Sequence, residues 1–270
     1  MGTSKGRKKL FLLLGPSIPD LVSKGNSLFL PESVEHDSIC SPASLKNIPT
    51  LCDEIVESSA SKVFVGSNII LPHFFSYAEK INHKSMWQGD AIRKMILNIS
   101  KTHDVVAVYY MKPVFEHLLD SYALRFKEGK REKIGQESFD NFCNQSVKRE
   151  TFHYKNVESW ANIPGVESVI VRPYVDKLLR RSSYYRDVFS VVGVRSPWKI
   201  SKESESRKVS GIYISENVVK SYEDVYEDNR EACDKFLSKK QSKIYLETFY
   251  PHYGELKLSL GTSFKRFFGF

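Results

Sequence analysis

The sequence predicts an α/β protein, a parallel sheet with helices on both faces in three layers. Two observations lead there. Short runs that are apolar at every position recur along the chain, and the stretches between them repeat their apolar residues every third or fourth position. Strands without polar alternation are covered on both faces, which is the environment of a parallel sheet whose crossovers are helices. A third observation bounds the class. The 270 residues are 41% hydrophobic and 27% charged, a globular composition long enough for one large domain or at most two small ones.

Taken in order, Leu10 to Leu14 is the first expected strand, stopping at Gly15-Pro16. Leu51 to Glu57 has helical spacing, and Lys62 to Val65 (KVFV) is the second strand. A helix over Met86 to Ile99 leads to the third strand, Val105 to Tyr110. Val114 to Phe126 follows as a helix with Phe115, Leu118, Leu119, Tyr122 and Phe126 on one side. Val169 to Val171 (VIV) is the fourth strand, and Lys177 to Val192 the next helix. All four strands are expected to be buried on both faces. Residues 201–208 (SKESESRK) are too polar to pack and form a linker or exposed loop. Residues 1–250 are therefore expected to form a single α/β domain, with 251–270 as an aromatic and basic tail. That tail either docks on its own domain or makes a peripheral contact with a membrane or a protein partner.

Charge and cysteine usage narrow the partners. A formal net charge of +8 favours anionic ligands, but the basic residues are spread along the chain instead of clustered with aromatic platforms, which disfavours nucleic acid. Cys40, Cys52, Cys143 and Cys233 lie far apart with no metal-ligand spacing, so reduced buried thiols and no metal are expected. The apolar run Leu10 to Leu14 is too short for a signal peptide, and no run reaches the eighteen or so residues that span a bilayer. A cytoplasmic protein is the expectation, with a peripheral membrane contact as its variant.

In such sheets ligands bind outside the carboxyl ends of the strands, where helix N-termini offer amides to anions. Lys112 stands at such an exit, just before Pro113, a residue favoured in the first turn of a helix. Its ammonium either meets an anionic ligand there, most simply a phosphate, or is a solvated loop lysine.

The stretch "VAVYYMKPVFEHLLDSYALRFKEG" (106–129) resembles the strand, loop and helix of the bacterial carbohydrate sulfotransferase-like family, in which the strand runs into an arginine and the helix carries a serine before a tyrosine. In family order come "KVFVGSNII" (62–70), "SFDNFCNQ" (138–145), "HYKNVESWANIPGVESVIVRPY" (153–174), "YRDVFSVVGV" (185–194) and "NREACDKFL" (229–237). The similarity runs from Lys9 to about Tyr245. It implies a P-loop NTPase-like (sulfotransferase-like) fold and transfer of sulfate from PAPS (3′-phosphoadenosine 5′-phosphosulfate) to a hydroxyl of a glycan or small molecule, as in surface polysaccharide biosynthesis. Such a transfer stabilises charge on the leaving phosphate and needs a base for the acceptor hydroxyl.

The resemblance assigns Gly15 and Ser17 to the loop after the first strand, Lys112 to the position of the family arginine, and Arg172 to an arginine at a later strand exit. Asp120 falls where the family serine stands, with Ser121 one residue beyond, so Ser121 is carried as the phosphate contact. Asn68 falls where the family has a glutamate, and His73 is the candidate base in its place, with a packed histidine as its alternative. Arg172 either enters the same crevice or pairs with a carboxylate such as Asp176. Trp160 and Tyr154 are read as packing residues.

After Gly15 the family's Lys-Thr-Gly-Thr-Thr is absent, and Lys24 lies too far along to replace its lysine. The leading expectation is a PAPS-dependent transferase. Its alternative is a diverged member without PAPS activity, either a transferase with another donor or a non-catalytic binding or assembly protein.

Overall fold

The computed structural model describes residues 7–14, 27–30, 47–67, 93–118, 122, 136–143, 146–179, 184–193 and 216–247. Among the described residues five strands form one sheet: β1 (Lys8–Leu14), β2 (Ser27–Leu30), β3 (Lys62–Ser67), β4 (His103–Met111) and β5 (Val166–Pro173), in the order β2-β3-β1-β4-β5. β1 pairs in parallel with β3 and with β4, and β2 pairs in parallel with β3, so four of the strands make an all-parallel sheet. Helices complete an α/β fold compatible with three layers. They are α1 (Asn47–Glu57), α2 (Gln136–Cys143), α3 (His153–Ala161), α4 (Tyr184–Val191), α5 (Glu216–Ser221) and α6 (Glu223–Phe236), with further helical residues at 93–99, 114–118 and 239–247.

The expected strands are present, each longer than its apolar run. β1 is central because Leu10 to Leu14 offer no polar side chain to either face, and these five residues are at most 5% exposed. Phe11 stacks on Phe64 of β3 at 5.2 Å between ring centroids, and Leu10 lies beside Val63 on one side and Val105 on the other. Burial of each such side chain contributes about 1.5–3 kcal/mol before the ordering entropy is subtracted.

Three expectations need correction. Strand β2 was not foreseen, because four residues carry too little periodicity to separate strand from helix. β5 is half-exposed along most of its length, because it is the terminal strand of the sheet order. Residues 176–179 form turns, tightened by the amides of Leu178 and Leu179 on the carbonyl of Val175, so the helix expected from Lys177 begins at Tyr184.

Chain contacts divide the molecule into two compact units, Met1–Tyr110 with Lys155–Arg172, and Met111–Tyr154 with Pro173–Phe270. In the first, the turn before β5 closes on Gly165 at φ +96°, where an added Cβ would stand 2.8 Å from the Ser100 Oγ. Glycine alone fits there. In the second, Val114, Phe115, Leu118 and Tyr122 pack with Phe139, Phe142, Phe152, Val218, Val219, Tyr222 and Val225 in one apolar cluster. The helical face expected over Val114 to Phe126 is thus buried at each position described.

Candidate functional site

Lys112 follows β4 directly, and its surroundings within the second unit are built from several elements. Its side chain is half-buried, with Nζ 5.4 Å from the centre of the Tyr174 ring. Tyr174 also donates its backbone N–H to the carbonyl of Met111 at 2.7 Å. The next carbonyl, that of Lys112 itself, receives the Nε2–H of His153 at 2.8 Å and lies 3.4 Å from the Tyr245 hydroxyl. Beyond Pro113 the chain enters helix at once, with the His117 amide donating to the Pro113 carbonyl at 2.9 Å.

His153 is buried at the first position of α3. Burial pushes its pKa down to about 4, the hydrogen bond to Lys112 works against that shift, and His117 adds to it. The ring is therefore neutral near pH 7, and a carbonyl partner requires the proton on Nε2. His117 itself pairs with Glu150, Nε2 to Oε2 at 2.9 Å.

α6 supplies the support. Its buried stripe is Val225, Asp228, Asn229, Ala232 and Cys233, the spacing of a core-facing helix with two polar residues in its middle. Both are satisfied. Asp228 Oδ2 accepts the Tyr154 amide at 2.8 Å, giving the first turn of α3 an acceptor. Asn229 Nδ2 donates to the carbonyls of Thr151 and Val225, each at 2.8 Å, while its Oδ1 accepts from Tyr245 at 3.1 Å. Tyr245 lies in the helical residues 239–247, which begin with a reciprocal cap: Ser238 N–H to Gln241 Oε1 at 3.1 Å, and Gln241 N–H to Ser238 Oγ at 3.4 Å.

Of the residues expected to form the site, Lys112 stands at the strand exit as foreseen, in the second unit, and Arg172 is half-buried near the end of β5 in the first. Gly15, Ser17, His73 and Ser121 lie outside the described residues, as do Lys24, Asn68, Asp120, the 201–208 stretch and the 251–270 tail. Trp160 is fully buried, and the Tyr154 ring packs on Phe236 at 5.9 Å. Cys52, Cys143 and Cys233 are free and buried. The thiols of Cys143 and Cys233 are pushed up to about 12, chiefly by burial and then by Asp140 and Asp234, so neither supplies a thiolate. Among the described residues no group of His, Cys, Asp and Glu is placed to hold a metal ion, and no helix is long and apolar enough to cross a membrane.

His153, Asp228, Asn229 and Tyr245 were not singled out from the sequence as residues around this exit. One signal was available, since Asp228 and Asn229 interrupt an otherwise apolar helical stripe. Among the described residues the surroundings place the Lys112 ammonium beside the Tyr174 ring at the end of a buried strand, on a backbone held by named donors. These features define an α/β protein with a parallel sheet and an ordered strand exit. Comparison with protein-family models, with curated proteins and with solved structures finds no match to this chain.

Proposed function

We propose that this chain is a sulfotransferase-like protein of P-loop NTPase-like topology that takes a phosphate-bearing nucleotide at the β4 exit. It transfers sulfate from PAPS to a hydroxyl of a glycan or related surface polysaccharide. One observation carries the reading: Lys112 follows β4, the strand beside β1, and β1 is where the sheet order reverses, with β3 on one side and β4 on the other. Ligands of open α/β sheets sit outside the carboxyl ends at such a reversal. A half-buried ammonium there suits a phosphate as a point charge, without the two-pronged geometry of arginine.

In the reaction the sulfuryl group leaves the phosphate oxygen of PAPS for the acceptor oxygen. One S–O bond breaks as another forms, the acceptor proton passes to a base, and adenosine 3′,5′-bisphosphate departs. His73 is proposed as that base on the strength of the family resemblance.

A second reading, binding without turnover, is favoured by the sequence itself, which has no Lys-Thr-Gly-Thr-Thr after Gly15 and an aspartate at position 120. A carboxylate there repels a phosphate unless a cation or proton intervenes.

Calorimetric titration with adenosine 3′,5′-bisphosphate, with Lys112→Ala as control, tests the nucleotide site. Micromolar binding that the substitution abolishes supports it, and no heat at high ligand concentration sinks it. Sulfate transfer from labelled PAPS to a glycan panel then separates the two readings.

A further inference from the structure

We propose that His153 is a positioning residue for the ligand site read above, on which this inference rests: its Nε2–H fixes the Lys112 carbonyl and through it the stance of the Lys112 ammonium. The peptide unit joining Lys112 to Pro113 has no N–H, so its carbonyl oxygen is the sole group by which hydrogen bonding can orient it. His153 meets that oxygen at 2.8 Å. Of these two donors the imidazole is the nearer, since the Tyr245 hydroxyl has one proton and lies closer to Asn229 Oδ1 (3.1 Å) than to the Lys112 carbonyl (3.4 Å).

The preceding carbonyl, of Met111, is held by Tyr174, whose ring also faces the Lys112 Nζ. Lys112 is therefore framed by Tyr174 before it and His153 after it. His153 is in turn fixed by its place at the start of α3, whose next amide is held by Asp228. A point-charge ammonium on a long flexible stem discriminates little unless the backbone beneath it is held.

The test uses the full chain with His153→Gln, which keeps an N–H donor near the Nε2 position, and His153→Leu, which fills the volume without one. Thermal unfolding establishes the folded fraction of each. His153→Leu is expected to weaken adenosine 3′,5′-bisphosphate binding about tenfold, as for one lost hydrogen bond, and His153→Gln to restore it to within about threefold.

Two readouts need no ligand. The imidazole nitrogen spectrum of the wild-type protein should show His153 with its proton on Nε2, and the proton on Nδ1 would overturn the inference. In reductively methylated protein the Lys112 signal, assigned by its loss in Lys112→Arg, should shift in His153→Leu and return in His153→Gln. If wild type binds no bisphosphate while the Lys112 signal still follows this pattern, the ligand reading fails and the positioning stands. Should the signal and the affinity both ignore position 153, the positioning fails and the ligand reading stands. If His153→Leu does not fold, the wild-type nitrogen spectrum and the His153→Gln binding still decide.

Discussion

The sheet of the first unit and the α6 network of the second solve the same problem, holding a buried segment in one place, by opposite means. β1 is held by apolar contact on both faces and by its ladders to β3 and β4, and no side-chain polar group takes part from Leu10 to Leu14. The α6 stripe puts Asp228 and Asn229 into the interior and satisfies them through Tyr154, Thr151 and Tyr245. Apolar contact is spread over many atoms and tolerates changes of shape, whereas a buried polar network fails when one partner leaves.

The largest expected effect sharpens that contrast. Asn229→Leu keeps the branched shape but removes the donor to the Thr151 carbonyl and the acceptor of the Tyr245 hydroxyl. It should lower the unfolding free energy by about 3–5 kcal/mol in urea denaturation. A loss below about 1 kcal/mol would show that the network is dispensable and the contrast false.

Next comes pH. The folded pKa of His153, about 4, lies below the ordinary 6.5, so between these values the unfolded chain binds more protons and stability falls as the solution is acidified. The expected loss from pH 7 to pH 4 is on the order of 3 kcal/mol from this residue. His103 adds loss of the same sign, its pKa lowered by burial and by Lys8 and Arg7, with Asp104 opposing. Urea denaturation across that range should show a shallower decline in His153→Leu than in wild type.

Smaller still is Gly165→Ala, which meets both the positive φ and the Ser100 Oγ and should cost roughly 2 kcal/mol by the same measurement. Pairing it with Ser100→Ala, which removes the clashing oxygen, should recover part of that loss. Smallest is Leu12→Met in β1, expected below about 1.5 kcal/mol because the volume is conserved. A larger loss would make the sheet as intolerant as the network.

Legibility in the sequence followed the same division. The apolar runs at Leu10 to Leu14 and Val105 to Tyr110 announced their strands because every residue carried the signal. The four-residue β2 had no such redundancy, and the exposure of β5 depends on its place at the end of the sheet, which its own residues do not encode. Lys112 was readable as a strand-exit cation, since that position follows from where the apolar run stops. Its hold by His153 was not, because a contact across 41 residues leaves no local period. Asp228 and Asn229 were legible only as an anomaly in a helical stripe, without their partners.

The reciprocal cap at Ser238 and Gln241 has a consequence for how this chain tolerates length changes. Because the cap starts residues 239–247 at a set point, the direction of each side chain along them is counted from Ser238. One residue inserted between Gln241 and Tyr245 would swing the phenol by about 100° around the helix axis and away from Asn229. A four-residue insertion there would turn it by about 400°, restoring the heading to within about 40° but moving it about 6 Å further along. The spacing from Asn229 to Tyr245 thus acts as a ruler, and the segment should accept substitutions far more readily than insertions or deletions.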